Sequence, residues 1–200
     1  MLFRSRLPDV FVVYDRVGAA DANDGKAWLL HTKNEPRVEG RLMTADSGKG
    51  RLFCETILPD DAKLAKIGGP GKEFWSNGKN WEPDTAFLAS AERGTKRTGR
   101  GPYFGAWRLE VAPGAPRTTD RFLHVLTAAD TSVSAAPAAK RVSRDGMDGV
   151  VVALPSSSGE AKEVTVLFNR EGPVGGEISF GKDAPRPLAT SVQPQQGLCL

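Results

Sequence analysis

Few residues in this chain have the type and spacing for acid–base or metal chemistry. The only histidines are His31 and His124, each set in an apolar run (WLLHT and RFLHVLT), and the only tyrosines are Tyr14 and Tyr103. Two histidines cannot build a metal site that needs several, and in such apolar runs a histidine's ordinary role is structural. There is no GxSxG elbow, Walker glycine loop, HExxH or CxxC. Cys54 lies in an apolar run and Cys199 is next to last, so the pair is no disulfide framework and both read as free thiols. A Ser–His–Asp set can be drawn on paper from many residues, and no spacing singles one out.

Binding chemistry is better represented. Ile67–Trp81, IGGPGKEFWSNGKNW, places Asn77-Gly78 between two tryptophan-bearing arms, Lys72–Ser76 and Lys79–Glu82. Asn-Gly suits a two-residue type I′ hairpin, because both central residues need positive φ. Gly68-Gly69-Pro70-Gly71 before it reads as a tight shaped loop. In the register such a turn sets, Trp75 pairs with Asn80, Ser76 with Lys79 and Phe74 with Trp81. Paired residues share a face. Phe74 and Trp81 then make an aromatic pair on the buried side, and Trp75, Asn80 and Lys79 are the candidate ligand-contacting residues. Trp75 and Trp81 are either ordinary sheet aromatics or a sugar-stacking edge. Ser90–Gly101, SAERGTKRTGRG, is the most basic stretch; Arg93, Lys96, Arg97 and Arg100 form either a solvated loop or an arm over a polyanion.

The elements that must position these residues are short strands. With 22 Gly and 14 Pro spread among brief apolar runs, the chain reads as all-β. Strands are expected at Val10–Val17, Lys26–Thr32 (both faces covered), Arg37–Met43, Gly50–Leu58, Gly105–Val111 and Arg121–Thr127, with Asp60–Ala65 a helical turn or irregular link. Residues 1–130 form the larger block and 131–148 a linker of alanine, serine and proline. Residues 149–200 form a small terminal β domain with strands at Gly149–Leu154, Glu163–Phe168 and Glu177–Phe180. A net charge of +3 is compatible with an acidic ligand but too small to imply nucleic acid. No apolar run approaches the roughly 20 residues of a membrane helix. The start, MLFRSR, has no following apolar region and is not a secretory signal. It runs abruptly into a strand, as though the chain began within a larger protein.

Several stretches together resemble one family. VVYDRV (Val12–Val17), KAWLLHTKNEP (Lys26–Pro36), GRLFCETILP (Gly50–Pro59), IGGPGKEFW with GKNW, GAWRLEVAP (Gly105–Pro113) and DRFLHVL (Asp120–Leu126) resemble, in order and spacing, the later part of heparinase II/III-type polysaccharide lyases. The resemblance runs from Phe11 to about Asp130. It implies an antiparallel β-sandwich, part of a larger lyase sandwich that follows an α-helical toroid, and then a small terminal sheet. The implied chemistry is β-elimination at a uronic acid, in which a base, usually Tyr or His, takes the C5 proton while the carboxylate is neutralised. The implied partners are an acidic polysaccharide such as heparin, heparan sulfate or alginate and the missing N-terminal half of the same enzyme, in a periplasmic or secreted setting. The family's base, neutralising residues and zinc ligands match no position in this chain, so the resemblance supplies no catalytic residue and no cofactor here. His31 matches a family histidine in the WLLH strand, and the role expected for it is structural. A free-standing carbohydrate-binding or structural β-sandwich is the alternative.

Overall fold

The computed structural model describes residues 9–81, 106–154 and 162–188. They form antiparallel sheets in two compact units, Met1–Ala136 and Pro137–Leu200. The first unit contains β1 (Asp9–Gly18), β2 (Trp28–Thr32), β3 (Arg37–Glu39), β4 (Leu42–Ser47), β5 (Gly50–Leu58), β6 (Lys63–Gly68), the short pair β7 (Trp75–Ser76) and β8 (Lys79–Asn80), β9 (Trp107–Ala112) and β10 (Thr119–Asp130). A five-stranded sheet runs β1-β10-β5-β4-β3, and a three-stranded sheet runs β2-β9-β6. No helix among the described residues is long and apolar enough to cross a membrane.

The two sheets of this unit share one core. Alternation along β9 sends Leu109 and Val111 to the same cluster as Met43, Cys54 and Phe122 of the larger sheet, with Trp28, Leu30 and Leu64 packed against it. Burying each such aliphatic or aromatic side chain contributes about 1.5–3 kcal/mol. β10 is an interior strand, between β1 and β5: Leu123 and Val125 on one face and Phe122 and His124 on the other are all buried. This matches the expectation from an apolar run with no polar alternation.

Several expectations are corrected. The run Arg37–Met43 is two strands, because Gly40 takes φ 59° and turns β3 back onto β4. Residues Lys63–Gly68 are neither helix nor irregular: they are β6, paired with β9. One face of β2 is open, since Leu29 and His31 are exposed. The boundary between units falls at Ala136 and Pro137, and the expected linker at 131–148 supplies β11 (Ala139–Arg144) and the start of β12 (Met147–Leu154). Asp145 and Gly146, both at positive φ, close a two-residue hairpin there, so the alanine-rich composition hid a turn signal. β13 (Lys162–Asn169), β14 (Gly176–Phe180) and β15 (Arg186–Pro187) complete a five-stranded meander in the second unit. In it, Asp148 is buried and faces Ser143, Arg141 and Arg170.

A second buried carboxylate ties the first unit together. Asp120, only 4% exposed, receives Arg117 at 2.8 Å, and the Lys26 ammonium lies 3.4 Å away. Lys26 also donates to the Arg117 carbonyl, and Arg117 grips Asp61 with two bonds of 2.9 Å. Removing one partner of a buried pair strands the other charge, at a cost of about 3–5 kcal/mol. Lys26→Met leaves Asp120 with Arg117 alone and is expected to lower unfolding free energy in urea by about 1.5–3 kcal/mol, and Lys26→Met/Asp120→Leu to recover most of it. A loss well under about 1 kcal/mol in the single variant would show that the pair carries no such cost.

Candidate functional site

The hairpin at Asn77-Gly78 forms in the register its sequence sets. Trp75 pairs with Asn80 and Ser76 with Lys79, with Asn77 at φ 50° and Gly78 at φ 80°. The Trp81 amide donates to the Phe74 carbonyl at 3.1 Å. The regular arms are shorter than expected, two residues each. The glycine loop positions the hairpin by lying directly on Trp107. A side chain at Gly69 would meet the Trp107 ring at 2.6 Å, and one at Gly68 would meet the Ala106 carbonyl at 2.2 Å. No residue with a Cβ fits there without moving the backbone.

The faces of the hairpin are the reverse of those expected. Trp81 is 51% exposed, whereas Trp75 is half-buried. The reason is local: Trp81 stands beyond the last strand pair, so its indole swings back over the turn. Its N–H donates to the Ser76 carbonyl at 3.0 Å, and Lys79 Nζ lies 3.5 Å from its ring centroid. Asn80 is half-buried and spends its side-chain carbonyl on the Phe74 amide at 2.9 Å, so it holds the hairpin rather than facing solvent. Lys72 lies 5.2 Å from the Trp75 ring centroid. Trp81 with Lys79 is therefore the outward-facing pair, and Trp81 is the residue the alternation argument missed. Arg93, Lys96, Arg97 and Arg100 lie outside the described residues, as does Tyr103.

Two of the residues with potential for covalent or acid–base chemistry, His124 and Cys54, are disarmed by burial. His124 is fully buried in β10, stacked on Trp28 with centroids 3.8 Å apart, and its Nδ1 is 3.3 Å from Thr56 Oγ1. Burial, helped by the Arg41 charge, pushes its pKa down to about 3. A neutral imidazole without solvent access abstracts no substrate proton. Burial pushes the Cys54 thiol up to about 12, which removes its thiolate. His31 is a sheet histidine, as expected, in β2 opposite Arg108 of β9, and its side chain is exposed rather than in the core. It borders an open concavity of about 300 Å³ whose wall includes Asn34, Leu52 and Ala128. There Arg51 is fixed by two bonds to Asp46 at 2.7 and 2.8 Å and one to the Val133 carbonyl, which holds the Asp46 carboxyl below its usual range. Neither partner is free to move a proton. Among the described residues no cluster of His, Cys, Asp and Glu is able to hold a metal ion.

Neither the models of known protein families nor the sequences of curated proteins match this chain.

The buried imidazole predicts a pH dependence. Between the ordinary histidine pKa of about 6.5 and the folded value of about 3, the unfolded chain binds a proton that the folded chain does not. Stability contributed by neutral His124 is thus present above pH 6.5 and is lost as pH falls through that window, by up to about 1.4 kcal/mol per unit. His124→Phe, which keeps the ring on Trp28, should flatten the decline in urea midpoint between pH 7 and pH 5. An equal decline in both proteins would place the titrating group elsewhere.

Proposed function

We propose that this chain is the non-catalytic β-sheet portion of a heparinase II/III-type polysaccharide lyase and that it contacts the acidic glycan through the Trp81–Lys79 edge of its hairpin. The observation that carries this reading is the joining of an exposed indole to an ammonium 3.5 Å from its centroid. A uronate or sulfated sugar offers an apolar C–H face and an anionic group on one ring, and an aromatic surface beside a cation complements both. The distribution of the resembling stretches also supports it. They fall on β1, β2, β5, β9 and β10 of the two layered sheets and on the separate hairpin, all within one unit, and a second all-β unit follows.

The non-catalytic part of the reading rests on the state of the titratable groups. Elimination needs a base at the C5 proton and a group that neutralises the carboxylate. His124 is buried and neutral, and Cys54 is a buried thiol. Proton abstraction belongs to another part of the enzyme.

Titration with heparin oligosaccharide, followed by tryptophan fluorescence, tests the binding surface. Weak binding is expected, falling as salt rises, because exposed charges are screened over about 10 Å at 0.1 M. Trp81→Ala and Lys79→Ala should each weaken binding about fivefold, the equivalent of about 1 kcal/mol for an exposed cation–aromatic contact, and Trp75→Ala should leave it unchanged. Full affinity in Trp81→Ala would overturn the assignment. In a separate assay, heparin, heparan sulfate or alginate mixed with the chain should give no rise in absorbance in the unsaturated-uronate band. A rise abolished by His31→Ala would make this chain catalytic.

A further inference from the structure

The smaller sheet of the first unit ends in a single row of residues. Thr32, the last residue of β2, and Gly68, the last of β6, both pair with Trp107, the first residue of β9. Because β9 is antiparallel to both neighbours, β2 and β6 leave the sheet at the same end. β6 continues through the glycine loop into the Trp75–Trp81 hairpin, and β2 continues into Lys33 and Asn34, which border the concavity of about 300 Å³. The hairpin and the concavity therefore belong to one end of the layered unit, on strands separated by two strand spacings, about 10 Å.

The concavity is mostly apolar and its wall is fixed. Ala45, Gly50 and Ala128 line it beside Leu52, so short side chains leave room that a ring can fill. The Asn34 side-chain amide donates to the Asp46 carbonyl at 2.7 Å and the Thr32 hydroxyl to the Asn34 carbonyl at 2.8 Å, which ties the loop after β2 to β4. A site held in place before its ligand arrives loses less to ordering. The charge at this end is unbalanced. Each nearby carboxylate is committed, Asp46 to Arg51, Glu35 to Lys66 and Glu73 to the Gly71 amide at 2.9 Å. Lys33, Lys72 and Lys79 make no ion pair among the described residues. Lys72 and Lys79 stand over Trp75 and Trp81, and Lys33 is exposed beside the concavity. Such a surplus at two neighbouring places suits a ligand that repeats its negative charge along its length.

We propose that the concavity beside Lys33 is a second contact for the acidic glycan, and that one glycan chain spans it and the Trp81–Lys79 edge. The inference rests on the glycan reading of that edge. A sugar ring in the concavity lays its apolar C–H face against Leu52 and Ala128 while its carboxylate or sulfate meets the Lys33 ammonium. A single ring is too small to reach from there to Trp81, so the ligand is an oligosaccharide of several rings. Each contact is weak alone. Once one is made, the other forms at the high effective concentration that the intervening sugars set, and affinity rises with chain length.

Amide chemical shifts of the whole chain, titrated with a heparin disaccharide and with a heparin octasaccharide, test this. With the octasaccharide, the amides of Lys33, Asn34 and Arg51 and the indole N–H of Trp81 are expected to move on one binding curve. Its affinity should exceed that of the disaccharide about tenfold or more. Ala128→Phe fills the concavity without changing charge, and Lys33→Glu reverses the charge beside it; both positions are exposed. Each should remove most of the gain with length and leave the Trp81 shift caused by the disaccharide. Movement of Trp81 alone, with none at the concavity, would overturn the inference and leave the hairpin reading standing. Movement at the concavity alone, with full affinity in Trp81→Ala, would overturn the hairpin reading and the spanning chain with it. Separate binding curves for the two places, or wild-type octasaccharide affinity in Ala128→Phe, would also overturn the inference. The wild-type titration needs no substitution and stands even where a variant fails to fold.

Discussion

The first unit is organised by one buried carboxylate. Asp120, second residue of the interior strand β10, is held by Lys26, which stands just before β2, and by Arg117, which also grips Asp61 in the turn between β5 and β6. These are the places where the chain leaves the larger sheet to build the smaller one. A charge this deeply buried is tolerable only with its partners in place, so the three connections must arrive together or not at all. Gly114 shows how tight the junction is, since a Cβ there would lie 2.4 Å from the Asp61 carbonyl. The network favours a unique arrangement of layers more than it adds net stability, because apolar replacements of buried ion pairs are often at least as stable.

From that junction the two layers meet across Leu109, Val111, Met43, Cys54 and Phe122, and the same packing removes chemistry from the interior. The stack of His124 on Trp28 and the burial of Cys54 both hold side chains in the forms that cost least to desolvate, neutral imidazole and thiol. Arg41 shows the complementary device. It donates to the carbonyls of Thr56, Ile57, Pro59 and Asp60, so its guanidinium supplies donors to the end of β5, past its last residue paired with β4, and to the turn that follows. Lys26, Arg51 and Lys66 likewise each give a bond to a backbone carbonyl.

Much of the fold was legible in the sequence, and what was missed has physical causes. β1, β5, β9 and β10 were found because β-branched and aromatic residues recur along them and turn residues bound them. The Asn77-Gly78 register was legible because turn chemistry fixes it locally. The faces of the tryptophans were not, since alternation holds only inside a paired strand and Trp81 lies one residue past the last pair, where its ring is governed by Ser76 and Lys79 instead. β11 was hidden by alanine and serine, which carry weak strand preference. It exists because β12, with Val150 and Val152, offers it a ladder. Tertiary pairing overrode local propensity there.

At the β3–β6 side of the first unit charge ties the two sheet edges together: Lys66 of β6 bonds Glu35, just before β3, at 2.5 Å, and lies 5.7 Å from the Trp107 ring on which the glycine loop rests. Trp107 is thus held from one side by the core alternation of β9 and from the other by a closing cation, and it becomes a rigid base for the hairpin. Gly68 and Gly69 let the chain press onto that base with almost no gap. Isolated hairpins with arms of two residues are marginal in water, and here the loop that leads into the hairpin is seated on that indole, so the charged closure and the proposed glycan contact share Trp107.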